Sequence, residues 1–220
     1  MEDKRSLANR LVCYFLGLFI MTAGISISVK SNLGVSPVSS IPYTLTKCLG
    51  IEMGKATILF HCFLVLLQAI ILRKNFKLKL LLQVPVGIVF GYFTTFCNYL
   101  MSFLPDMENM ITRFFMMLIS VLLIAVGIFL YLPANIMPLA GEGAMQAISD
   151  TKNIAFSKVK VAFDISMVLI SVITCLIVLH SFGSVGIGTI IAAFLVGIVL
   201  GQIKRLWARH KFRNLKNQKV

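Results

Sequence analysis

Six apolar runs constrain this chain more tightly than anything else in it: residues 11–29, 56–72, 80–104, 111–132, 159–179 and 186–203. Each is close to the ~20 residues that an α-helix needs to cross the hydrocarbon core of a bilayer. No water is present there to satisfy stray peptide groups, so such runs cross as helices. Hydrophobic residues make up 58% of the 220 positions and charged residues 13%; with a mean hydropathy of +0.92, little is left for a soluble domain. The sequence predicts an all-α membrane protein with six transmembrane helices, a single transmembrane domain over residues 1–220.

The net charge of +13 would suit a nucleic-acid partner if it formed a patch, but its placement argues against one. Lys4, Arg5 and Arg10 precede the first run, and Arg73, Lys74, Lys77 and Lys79 separate the second from the third. Lys204, Arg205, Arg209, Lys211, Arg213, Lys216 and Lys219 follow the sixth. Basic residues concentrate on the cytoplasmic side of membrane proteins, so both termini are expected inside the cell. The connection after His180 carries no Lys or Arg, as suits an outer loop. The first run has the basic flank of a secretion signal, but it is long and no small-residue cleavage site follows, which predicts a retained helix. Residues 208–220 read as a basic cytoplasmic tail facing anionic lipid, with Trp207 as an interfacial anchor. Cys13, Cys48, Cys62, Cys97 and Cys175 are scattered singly, at neither disulfide nor metal-ligand spacing.

The connection between the first two runs is neither a tight polar turn nor a solvated loop. It reads Ser31-Asn32-Leu33-Gly34-Val35-Ser36-Pro37-Val38-Ser39-Ser40-Ile41-Pro42 and continues past Cys48 and Gly50 to Gly54. Half apolar and broken by Gly and Pro, it predicts backbone that returns to the protein interior. Ser36-Pro37 is a helix-start signature and Gly50 a stop. Pro42, with no N–H to give, should kink that helix or delay its start. An echo follows about a hundred residues later, at 135–158. Setting Gly24-Ile25 on Gly127-Ile128 brings Asn32 to Asn135, Ile51 to Ile154, Lys55 to Lys158 and Phe60 to Phe163. After a small gap, Val86-Gly87-Ile88-Val89-Phe90-Gly91 matches Val196-Gly197-Ile198-Val199-Leu200-Gly201 at all but one position. The halves, about 10–104 and about 111–207, each read helix, broken connection, helix, helix. Three crossings per half is an odd number, so the fold expected is two inverted three-helix repeats with broken or re-entrant segments.

A polar side chain within a span is costly unless it finds a partner or water. Thr22, Ser26 and Ser28 suit helix packing. His61 coincides with Asp164 in the repeat alignment, which marks the two for proton coupling; the alternative is that each simply reaches headgroup water. Gly87 and Gly91 lie four apart, as do Gly197 and Gly201, and the two flat ridges are expected to pack near the axis relating the halves. From Gly141 a short helix is expected with Glu142 in its first turn, favourable against the helix dipole. Glu142 reads equally as an ordinary loop carboxylate. Asn32, Ser36, Ser39, Asn135, Glu142 and Gln146 are the residues expected along a solute pathway.

The Asn32-Leu33-Gly34-Val35-Ser36-Pro37 motif, the following Gly50 and Gly54 and the Gly-rich last span resemble the bacterial YczE/YyaS/YitT membrane proteins. The resemblance covers most of the chain and implies a multi-span protein of the bacterial inner membrane; it brings no catalytic residue and no substrate. Where that family often carries a Trp soon after Ser-Pro, this chain has Val38 and Ser39, so no aromatic role carries over.

Enzyme readings find little support. Gly34-Val35-Ser36-Pro37 lacks the second Gly of a serine-nucleophile elbow, no His, Asp and Glu cluster at metal-ligand spacing, and no phosphate-binding loop is present. Inverted halves with Gly/Pro-interrupted segments at matching positions point instead to a small-solute transporter or facilitator, without a cofactor. Two other readings are a substrate-binding membrane subunit of a multi-component transporter and a non-transport assembly or regulatory protein. The partners expected are the lipid bilayer, anionic lipid at the tail, an unidentified small solute and further copies of the chain as a homo-oligomer.

Overall fold

The protein, as a computed structural model, is described over residues 6–181 and 183–217, with side chains through 209. Its helices are α1 (Leu7–Ser31), α2 (Pro37–Leu49), α3 (Met53–Leu72), α4 (Gln83–Ser102), α5 (Met110–Tyr131), α6 (Ala140–Lys152), α7 (Phe156–Leu179) and α8 (Ile187–Asn217). No strand occurs among the described residues. Six of these helices are long and apolar enough to cross a membrane, while α2 and α6 have 13 residues each. Large apolar side chains, Phe63, Leu66, Ile70 and Phe114 among them, stand exposed around the outside, as lipid requires and water would not permit. This is an all-helical membrane protein.

The turns repeat in kind. Asn32 closes α1 in the left-handed region at φ 53°, and Asn135 follows α5 and its short 3-10 extension at φ 48°. Gly50 closes α2 at φ 68° and Asn153 closes α6 at φ 52°. Gly and Asn are the residues that bear this conformation at least cost, and it lets each chain end reverse direction. Pro42 lies inside α2, which runs through it although the Val38 carbonyl thereby loses an N–H partner. Ser36 begins the helix, but its hydroxyl donates to Ser39 Oγ at 3.1 Å, and no side-chain cap forms.

Helices in lipid gain nothing from hiding apolar surface from one another, so close approach of small residues holds them together. The central crossing, α1 on α5, is built that way. A methyl added at Gly17 would stand 2.8 Å from the Gly127 carbonyl oxygen, and one added at Gly127 would stand 2.7 Å from that of Gly17. Against α1 lies α4, through Phe19 and Phe93 with ring centroids 5.4 Å apart. Against α5 lies α8, where Met117, Val121 and Ala192 form a small core and Trp207 meets the Phe129 ring at 6.0 Å. Helix α2 lies on α7 and α6 on α3. One relation lacks a counterpart: α3 packs closely on α4, whereas α7 and α8 barely touch.

One expectation is corrected here. The Gly87/Gly91 ridge does not meet Gly197/Gly201; it takes α3, with the His61 side chain 2.8 Å from a methyl added at Gly87 and the Gly54 carbonyl 2.8 Å from one at Gly91. A methyl at Gly197 or Gly201 would meet no atom within 4 Å. Helix α8 runs unbroken to Asn217, into the residues read as a basic tail. Lys4, Arg5 and Lys219, on which part of the topology expectation rested, lie outside the described residues.

Candidate functional site

Both short helices present their first turns to one central cavity of about 510 Å³. Ser36 and Ser39 come from the start of α2, and Glu142 and Gln146 from α6. Thr57 and His61 of α3, Thr94 of α4, and Lys160 and Asp164 of α7 complete the polar lining, and the rest of the wall is mainly apolar, with Phe60, Phe90 and Ile128. A helix start leaves N–H groups without intrahelical partners, so two such starts give an otherwise greasy chamber a polar floor and ceiling.

The ionisable groups are unevenly satisfied. Lys160 Nζ lies 2.7 Å from Asp164 Oδ2, while Asp164 Oδ1 is buried with no partner. Glu142 Oε2 is likewise buried without a partner, and so are the Tyr131 hydroxyl and His61 Nδ1. Burial pushes the Glu142 carboxyl above the ordinary carboxylate range, against the opposing pull of the neighbouring Tyr131 hydroxyl, the Leu139 backbone and the Lys160 charge. The His61 ring stacks on Phe90 with centroids 5.5 Å apart, so it faces the protein interior rather than headgroup water. Gln146 donates to Asp150 Oδ1 at 2.6 Å.

Polar seams close the structure where the short helices dock. Ser171 donates to Ser40 Oγ at 2.9 Å, Thr44 and Ser184 share a hydrogen bond of 2.5 Å, and the Gly188 N–H meets the Leu33 carbonyl at 2.8 Å. In the other half Gln68 Nε2 donates to Gln83 Oε1 at 2.8 Å and to the Ala140 carbonyl at 3.2 Å. Ser171 falls opposite Gln68 in the alignment that pairs Asn32 with Asn135. Among the described residues no such seam joins α7 to α8; Phe156, Lys160, Asp164, Gly197 and Leu200 line the cavity on that side.

Of the expected pathway residues, Ser36, Ser39, Glu142 and Gln146 meet at the cavity, as do His61 and Asp164. Asn32 and Asn135 do not line it: both are exposed left-handed turn residues, and the Asn135 carbonyl accepts from Arg10 at 3.1 Å. Sequence reasoning missed Lys160, although its position one helical turn before Asp164 was a signal for an ion pair. The aromatic wall carried no such signal, because Phe60 and Phe90 look like any lipid-facing Phe until the fold turns them inward.

Six spanning helices around a cavity with a few polar groups define a polytopic membrane protein. The chain belongs to the family of unknown function DUF6198, whose family model matches residues 8–205. It is 26% identical over 198 residues to the uncharacterized membrane protein YczE of Bacillus subtilis (strain 168), covering 90% of this chain and 86% of that one. It is 24% identical over 197 residues to the uncharacterized protein YyaS of the same organism, covering 90% and 93%. The resemblance read from the Asn32–Pro37 motif is thus borne out for these two. No solved structure matches the chain at a significant level.

Proposed function

We propose that the protein is a small-solute transporter of the bacterial cell membrane, built from two inverted halves with both termini cytoplasmic, and that solute passes through the cavity between α2 and α6. The observation that carries this reading is that the first turns of both short helices line one chamber. Discontinuous helices meeting at a central site are the arrangement from which such carriers bind and release solute. The matched turns at Asn32 and Asn135, the equal lengths of α2 and α6, and the mirrored packing of α2 on α7 and α6 on α3 support the inverted relation.

The unmatched contact then acquires a meaning. In one half the ridge of Gly87 and Gly91 is seated on α3; in the other Gly197 and Gly201 stand open beside α7. Exchanging those two conditions would close the cavity on the cytoplasmic side and open it outside, with Gly197 arriving at Asp164 as Gly87 now meets His61. The reading requires no catalysis and no bound cofactor.

The test is access. Ser39→Cys and Gln146→Cys, each in a cysteine-free background, are treated with a membrane-impermeant thiol reagent in inside-out and right-side-out vesicles. A carrier reacts from both sides, with the outer reaction slower because the outer seams must first part. Labelling from one side only, under every ion and pH condition tried, would sink the reading in favour of a non-transport membrane protein.

A further inference from the structure

The cavity's walls and its charges together narrow what it can hold. Its volume of about 510 Å³ falls in the ~300–1,000 Å³ range of sites for drug-sized ligands, and most of its surface is apolar. Within that apolar surround are two carboxylates and one matching cation. Lys160 is paired with Asp164 at 2.7 Å and acts on Glu142 only from beyond ion-pair distance, which leaves one carboxylate in excess and Glu142 Oε2 unpartnered. The other titratable groups facing it are Tyr14 of α1 and Tyr131 of α5, while His61 of α3 lines the same chamber. An anion could not stand in for the proton on Glu142, because against the ionised carboxylate in a low-dielectric surround it would be repelled. A small hydrated metal cation would want several oxygen ligands, and among the described residues no group of three or more His, Cys, Asp or Glu could hold one. A bulky apolar cation satisfies both the wall and the charge, and Phe60 and Phe90 add aromatic faces that attract it.

Resting on the transport reading above, we infer that the solute is a monovalent, largely apolar organic cation, bound at Glu142 in exchange for a proton. The exchange balances: the protonated carboxyl and the cation give a carboxylate–cation pair and one released proton, with no change in net charge at the site. A buried carboxylate left with neither cation nor proton is the costly state, so the empty cavity holds the proton. That cost is what couples the two occupants, since each can enter only as the other leaves.

The experiment uses the full-length protein in lipid nanodiscs and radiolabelled tetraphenylphosphonium, with tetraphenylborate as the probe of equal shape and opposite charge and empty nanodiscs as the blank. The expected result is saturable binding of the phosphonium alone, about one proton released per cation bound, and an affinity that rises with pH up to the Glu142 pKa and levels off above it. Glu142→Gln should weaken binding about tenfold or more and abolish proton release. Glu142→Asp, which keeps the charge, should retain binding within a few-fold, and thermal midpoints near wild type for both variants show that each is folded. Equal binding of tetraphenylborate, or wild-type affinity in a folded Glu142→Gln, overturns the inference. Should two-sided cysteine labelling hold while phosphonium binding fails, only the solute class is lost; should labelling fail while binding holds, transport is lost and the cation site stands.

Discussion

In one half of the molecule α3 and the glycine-notched α4 lie in contact; in the other, α8 has the same kind of glycine-notched face and stands apart from α7. Gly91 is seated so closely that a methyl there would run into Ile58 and the Gly54 carbonyl, while Gly201, its match in the sequence alignment, would meet nothing. Similar helices in different packing show that the packing is not dictated by the helix sequences alone. What differs is the neighbourhood. Next to the closed pair, the Gln68–Gln83–Ala140 seam ties α3, α4 and α6 together, whereas the Ser40–Ser171 and Thr44–Ser184 seam ties α7 to α2 and to the start of the α8 segment, leaving the far ends of α7 and α8 unjoined.

The largest expected effect comes from bridging the open pair. In a cysteine-free background, Ile58→Cys with Gly91→Cys should oxidise at once, whereas Val161→Cys with Gly201→Cys should do so only as α8 swings onto α7, and should then abolish flux until reduced. Loss of thiol reactivity toward a polyethylene-glycol maleimide on a gel reads both. If the second pair never forms a disulfide, the two halves are fixed in their difference and no exchange between them occurs.

Next in size, Gly91→Leu should cost about 1–3 kcal/mol, because the side chain has no room, whereas Gly201→Leu should leave stability within about 0.5 kcal/mol of wild type. Heating followed by size-exclusion chromatography compares them, and equal losses would erase the contrast drawn from the glycines. The seams offer a gentler version. Gln68→Ala should cost about 1–3 kcal/mol, since it leaves Gln83 buried and unpaired; Ser171→Ala, which gives up one hydroxyl bond, should cost about 0.5–1.5 kcal/mol. The reverse order would mean that the α2 side carries more of the fold than its shorter side chains suggest.

The smallest effect lies outside the membrane. Lys30 reaches Asp106 at 2.7 Å and holds its carboxyl below the ordinary range. A carboxyl whose pKa is lower when folded adds stability above its ordinary pKa of ~4, and that contribution is lost as pH falls through the lowered value. Asp106→Asn should flatten the acid side of a thermal-midpoint profile slightly and leave neutral pH untouched. A large change at neutral pH would mean that this link braces the first half far more than an exposed pair should.

Much of this was legible in the chain. The six spans follow from run length alone, the start and end of α2 from Ser36-Pro37 and Gly50, and the start of α6 from Gly141 and Glu142, because caps and helix breakers act locally. The meeting of Ser36, Ser39, Glu142 and Gln146 was legible once the two broken segments were aligned. What could not be read was long-range. Asn32 and Asn135 read as pathway residues from their place in the broken segments, but the backbone uses them at left-handed turns, which only the structure reveals. The glycine ridges were paired with each other because both were flat, and flatness does not name its partner. Lys160 escaped notice because a basic residue at the start of a span reads first as an orientation signal.

Helix α8 touches Leu33 with the backbone of its first residues and then runs 31 residues to Asn217 without a break. At ~1.5 Å per residue that is a rod of ~46 Å. A tilt of only ~10° about its first turn would carry its far end through ~8 Å, a shift large enough for whatever docks on those last turns to feel, or to forbid.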